Sequence, residues 1–403
     1  MKEWHQYQRY RFRPPMVRPW LQPVVRWMND RVYLRDRYQI KRTRHEGLGR
    51  VEALVRAGHS VLLAPNHADH ADPHLLMHLA GNAGLELRFM AAREIFEVNW
   101  LAGLCLQHAG VFSVDRDGPD IAAIKTAIEI LEGGDRVLVV FPEGEIYHHH
   151  EILDPLHDGV ASIMLRAVRR MPEGREGYIV PVVLRYSHEP AVEKTFRWRL
   201  SRLERRIGWR PREDMPVMDR ILRLGNGALA VKETEYVGEA SSGEMSGRLW
   251  QLRENLLGTV EARLGCKGSD KTVPDRVRAL RYRIRRRWLD EESPPDDAER
   301  LRLREDMDRV FTALQAYSYL GDYLTSQPGT DRMAETIMKL EEDLLGEAVY
   351  PTRRSAHVVF DDPIPVSGLV RDGVLAGRDA SELLTRMLED RISRRLAGAD
   401  GQN

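Results

Sequence analysis

Long hydrophobic runs are the first thing missing from this 403-residue chain. A membrane-crossing helix needs roughly 20 consecutive apolar residues. The longest apolar stretches here, around Val61-Leu62-Leu63 and over Val137–Phe141, have the length of buried strands. The N-terminus, Met1-Lys2-Glu3-Trp4-His5, carries no apolar h-region. No secretory signal is therefore expected, and the chain is expected in the cytoplasm, peripheral on the cytoplasmic face of a membrane. Cysteine is scarce: Cys105 and Cys266 are the only two. Two isolated thiols make neither a disulfide framework nor a metal-binding spacing, and they suit a reducing compartment. Net charge is absent too, with 61 Lys and Arg against 61 Asp and Glu.

That zero conceals an asymmetry. Residues 1–44 hold twelve Lys or Arg against Glu3, Asp30 and Asp36, a net of +9, which leaves the rest of the chain at −9. The same stretch carries Trp4, Tyr7, Tyr10, Phe12, Trp20, Trp27, Tyr33 and Tyr38. Cations mixed with Trp and Tyr match the anionic headgroup layer of a membrane, and a membrane-surface arm is expected over 1–45. Packing on the domain with a solvated basic face explains the stretch equally well. Nucleic acid, which also attracts cations and stacking rings, is not expected as a partner.

The length suits two domains, or one with a large insertion. Residues 46–190 alternate between strand and helix patterns. Strands are expected at Val61–Ala64, Leu87–Ala91, Val111–Val114, Val137–Phe141 and Ile179–Tyr186. Helices are expected at Pro73–Ala80, with Asp72 as its cap, at Ile121–Leu131 ahead of Gly133-Gly134, and at Gly159–Val168. Such alternation predicts an α/β fold with a mainly parallel sheet flanked by helices. Residues 191–350 change texture. They are charge-dense, Arg-rich and proline-broken at 190–220, helical in pattern at 245–264 and 274–345, and divided at Pro294-Pro295. They read as a mostly helical insertion of unknown role. Residues 351–403 add a strand at His357–Phe360 and a helix at Ala380–Leu396, expected to return to the catalytic domain.

The chemistry concentrates in Asn66-His67-Ala68-Asp69-His70-Ala71-Asp72. A strand end followed by a helix start can fold His67 onto Asp72. Neutral imidazole is a competent base for a hydroxyl proton near neutral pH, and a carboxylate beside it stabilises the charge it gains. This stretch resembles the His-x-x-x-x-Asp motif of the glycerol-3-phosphate and 1-acylglycerol-3-phosphate (lysophosphatidic acid) acyltransferase family of phospholipid synthesis. Three more blocks follow in that family's order. Gly110–Arg116 resembles its second block, Phe141-Pro142-Glu143-Gly144 its third, and Ile179-Val180-Pro181-Val182 its fourth.

The resemblance implies transfer of a fatty acyl group from coenzyme A or acyl carrier protein to a lipid hydroxyl, most readily that of 1-acylglycerol-3-phosphate. His67 and Asp72 would be catalytic and no metal or cofactor would be needed. Arg116 would bind the acceptor phosphate, and Phe141, Pro142, Glu143 and Gly144 would line the acceptor site, with Glu143 bonded to a glycerol hydroxyl. Pro181 would shape the sheet near the acyl groove. One block departs from the pattern. The family continues its third block with Thr-Arg-Ser, whereas this chain reads Glu145-Ile146-Tyr147-His148-His149-His150, which leaves the acceptor open.

Two other classes compete. His67, His70, His74, His78 and His148–His150, with Asp69 and Asp72, offer ligands to a metal-dependent hydrolase. A membrane-bound scaffold that kept the fold and lost acceptor binding at Glu145 is the non-enzymatic alternative, though it has no chemical need for His67 and Asp72.

Overall fold

The computed structural model describes residues 7–189, 192–266, 268, 271–350 and 352–398. Lys2, Glu3 and Trp4 of the basic-aromatic stretch lie outside the described residues. The chain forms two compact units, Tyr10–Ser187 with Arg353–Asn403, and His188–Thr352 with the start of the chain up to Arg9.

The first unit is built on an eight-stranded sheet: β1 Ile40–Glu46, β2 Ser60–Pro65, β3 Leu87–Ala92, β4 Val111–Val114, β5 Val137–Val139, β6 Gly177–His188, β7 Arg354–Phe360 and β8 Ile364–Pro365. The order is β1-β7-β6-β2-β5-β3-β4, with β8 beside β6. The pairings of β1 with β7, of β2 with β5 and β6, and of β3 with β4 and β5 are parallel, and β8 runs antiparallel to β6. Helices flank this mainly parallel sheet, the expected α/β class. β2 lies at its middle and is buried along its whole length, which is why it reads as a continuous apolar run.

On one side of the sheet Leu62, Leu138 and Ile179 share a core with Ala127 and Leu131 of the helix Ile121–Gly133. Met164 of Gly159–Val168 and Leu388 and Ile392 of Ala380–Ala397 complete it. The helix Ile121–Gly133 stops where Gly134 turns left-handed, φ 69°.

Three expected bounds shift with a physical reason. β5 ends at Val139 rather than Phe141, because the chain leaves the sheet there and carries Phe141 to His67. β1 was not expected. It is an edge strand with only Ile40 buried among its seven residues, so its sequence looks like a solvated basic loop. The boundary placed at residue 45 falls inside it. The helix after β2 begins at Asp72 itself, with Ala71 before it, and no side chain caps its first turn.

From Tyr10 on, the N-terminal stretch packs on this unit. Tyr10 Oη meets Ser113 Oγ at 2.8 Å, Ser113 donates its N–H to the Arg13 carbonyl (3.0 Å), and Met16 donates its own to Gln107 (2.8 Å). Phe12 meets Phe112 edge-on. Helical turns at Pro19–Leu21, Gln22–Trp27 and Met28–Arg37 then lead into β1. Trp20, Val24 and Trp27 point outward, 76%, 50% and 63% exposed.

The second unit is helical: Glu193–Arg206, Val217–Val237, Met245–Arg263, Val273–Trp288, Asp297–Ser318, Tyr323–Ser326 and Thr330–Leu345. Its charge density is partly internal. Arg199 pairs with Glu341, Arg220 with Glu204 and Arg248 with Glu233, each at 2.6 Å and each buried. A buried charge persists only when paired and hydrogen-bonded, as these are. Among the described residues no helix is long and apolar enough to cross a membrane.

Candidate active site

The loop between β2 and the helix Asp72–Asn82 is fixed at both ends by its own polar side chains. Asn66 continues the β2–β6 pairing with its amide: Oδ1 accepts from the Leu184 N–H at 2.7 Å and Nδ2 donates to the Leu184 carbonyl at 3.2 Å. Asp69 accepts the Ala71 N–H (2.8 Å) and pairs with Arg354 of β7 (2.7 Å). Burial raises the Asp69 pKa, but Arg354 and the Ala71 N–H outweigh it, so the carboxyl is held below its ordinary value.

These anchors bring His67 and Asp72 together. His67 Nδ1 lies 2.9 Å from Asp72 Oδ2. Asp72 is fully buried and takes two further hydrogen bonds, from the Asp69 N–H to Oδ2 (2.9 Å) and from the Tyr186 hydroxyl to Oδ1. Its carboxylate therefore serves the histidine, not the helix end. With the proton on Nδ1 and donated to Asp72, Nε2 keeps its lone pair, the tautomer a general base needs. The ring of Phe141 stacks on His67 at 3.9 Å and fixes its plane. His67 keeps 14% exposure of its side chain, enough for a reactant to reach it.

Glu143 is buried, and both of its oxygens face backbone donors. Oε1 accepts from His67 N–H at 2.6 Å and Oε2 from Asp154 N–H at 3.1 Å. It buckles the His67 loop to the loop that follows β5. Burial first, then the neighbouring Asp154 and Asp72, push its carboxyl up to about 8, against the pull of the two N–H donors. This arrangement makes it a positioning residue for His67. Pro142 accepts the His157 N–H at 2.9 Å. Gly144 has φ 75°, and a Cβ there would lie 3.0 Å from the His157 ring. Pro181 sits within β6 opposite Ala64, and its carbonyl accepts the Asp361 N–H at 2.9 Å.

Arg116 reaches this turn. It donates to the Gly144 carbonyl and forms ion pairs with Glu145 at 3.0 Å and Glu94 at 3.7 Å. Although burial opposes its charge, Glu145, Glu94 and Asp117 raise its pKa further.

Three histidines of the metal reading turn to different partners. His67 faces Asp72, His74 meets Asn29 Oδ1 at 2.7 Å, and His149 meets Asp154 at 2.7 Å. His74 also stacks on Tyr33, and its burial holds its pKa down at about 4, which keeps it neutral. His148 adopts a left-handed φ of 59° and meets His70 edge-on.

The acyltransferase family model matches residues 42–185, the stretch that holds His67, Asp72, Arg116, Phe141, Glu143 and Gly144. Residues 42–185 are an acyltransferase-family domain. The chain is similar to the 1-acyl-sn-glycerol-3-phosphate acyltransferase of Streptococcus pneumoniae, 41% identical over 85 residues, 21% of this chain and 30% of the relative. It is also similar to the protein of that name from Bacillus subtilis, 36% identical over 59 residues, 15% of this chain and 29% of the relative. The matched stretches thus span less than a third of either relative's length.

The sequence alone singles out His67 and Asp72 but carries no sign of Tyr186 and Arg354, which bond to Asp72 and Asp69. Tyr186 stands 114 residues from the carboxylate it serves and Arg354 stands 285 from Asp69, and no local pattern links such pairs.

Proposed function

We propose that this protein is an O-acyltransferase that moves a fatty acyl group from a coenzyme A or acyl carrier protein thioester to the hydroxyl of a lipid acceptor, 1-acylglycerol-3-phosphate first among them. The observation that carries the reading is the His67–Asp72 pair, oriented for base catalysis inside an acyltransferase-family domain. His67 Nε2 takes the acceptor's hydroxyl proton as the oxygen attacks the thioester carbonyl. Asp72 stabilises the imidazolium that forms. Collapse of the tetrahedral intermediate breaks the C–S bond, and the departing thiolate recovers the proton from His67. The products are the ester and the free thiol.

The lipid acceptor has to be met at a membrane surface. Trp20, Val24 and Trp27 stand exposed beside Arg18 and Arg26, which suits contact with anionic headgroups. Incubating the purified chain with labelled acyl-CoA and a panel of lyso-lipids, followed by lipid mass spectrometry, tests the reading. The expected product is one acyl chain heavier than 1-acylglycerol-3-phosphate. Labelled free fatty acid as the only product would assign a hydrolase.

A further inference from the structure

Arg116 is the guanidinium that the acyltransferase resemblance assigns to the acceptor's phosphate, and in this chain it is already engaged. Glu145, which stands where the resembled family carries Thr, sets its Oε2 3.0 Å from Arg116 Nη1. Glu94 stands 3.7 Å from Nη2. The Gly144 carbonyl takes a hydrogen bond from Nη1 as well.

The backbone holds this arrangement. Gly144 N–H bonds the Phe141 carbonyl at 3.2 Å, closing a turn whose left-handed residue has the His157 ring where a Cβ would go. The turn delivers the Gly144 carbonyl and the Glu145 carboxylate to one guanidinium. The three side chains are not sealed off: Arg116 is 27% exposed, Glu145 29% and Glu94 32%. One guanidinium faces two carboxylates. A phosphomonoester arriving there must displace Glu145 from Arg116 or sit against it. A headgroup without a free phosphate meets no such competitor.

We propose that Glu145 is a specificity-determining residue that competes with an acceptor's phosphomonoester for Arg116 and so narrows the advantage of phosphorylated over unphosphorylated headgroups. The inference rests on the acyl-transfer reading for the acceptor's being a lipid, so its test reads binding alone. The probes are glycerol 3-phosphate, a soluble phosphomonoester, and glycerophosphocholine, a zwitterionic diester. Each is titrated calorimetrically into the full chain, into Glu145→Gln, into Arg116→Gln and into the double variant. Glu145→Thr serves in place of Glu145→Gln if the latter does not fold.

Removing Glu145 is expected to tighten glycerol 3-phosphate binding about tenfold relative to glycerophosphocholine, and to do so by less than about twofold when Arg116 is already Gln. No gain, an equal gain for both probes, an undiminished gain in the Arg116→Gln background, or no glycerol 3-phosphate binding by any variant would each overturn the proposal. Acyl transfer measured on the same preparations keeps the two readings apart. A protein that transfers acyl groups but shows no Glu145 effect refutes this inference alone. A Glu145 effect without any acyl transfer refutes the enzymatic reading alone.

Discussion

At His67 the chemistry turns on which ring nitrogen carries the proton and on the charge behind it, and Asp72→Asn separates the two. The Oδ2 position receives two N–H donors, from His67 and Asp69, whereas Oδ1 receives only the Tyr186 hydroxyl, which can turn and accept instead. An asparagine at 72 therefore keeps its oxygen toward His67 and its amide toward Tyr186. The tautomer survives and only the negative charge is lost. The expected result is a kcat lower by roughly 10² to 10³ with little change in KM, because the charge matters once the imidazole is protonated. Unchanged kcat in this variant would mean that Asp72 only shapes the loop. This pair was legible because both partners stand within one seven-residue stretch. The backbone hydrogen bonds of Glu143 were not. Its place in the third block suggested contact with a glycerol hydroxyl, and nothing in the sequence shows that its oxygens face the backbone of residues 67 and 154.

The elements that hold the site differ in how far they announce themselves. β2 and β5 are apolar because they are covered on both faces, and the helix Ile121–Gly133 carries a glycine stop, so each could be read locally. β1 could not, because an edge strand with one buried residue has no apolar pattern to show. β7 could be read in part, but not its first residue, Arg354, whose guanidinium bonds Asp69 and lies over the Tyr186 ring. This side chain ties the late strand to the loop that carries His67 and Asp72. Arg354→Met should destabilise the α/β unit by about 3–5 kcal/mol, since it strands the buried Asp69 charge. Asp69→Asn combined with Arg354→Met should lose less than Arg354→Met alone, as read by urea denaturation. A double variant no more stable than the single one would show that Arg354 acts through its packing on Tyr186 instead.

For the whole molecule, the neutral total charge divides into a basic N-terminal stretch and an acidic remainder, and the structure adds three outward apolar side chains, Trp20, Val24 and Trp27. Residues 10–37 cannot simply be cut away to test their role, because Tyr10, Phe12 and Met16 pack on the α/β unit. The paired change Trp20→Ala and Trp27→Ala leaves those contacts intact. It should cut sedimentation with anionic vesicles several-fold, and high salt should weaken what remains. Undiminished sedimentation of this variant would move the lipid contact elsewhere on the chain. The central claim is that His67 is the base for acyl transfer, and one assay reads it directly: conversion of 1-acylglycerol-3-phosphate and labelled acyl-CoA to the diacyl product by the native chain and by His67→Ala, each checked for folding by circular dichroism. The account predicts product from the native chain and a rate lower by about 10² to 10⁴ from the variant. A folded His67→Ala protein that makes product at the native rate would contradict it.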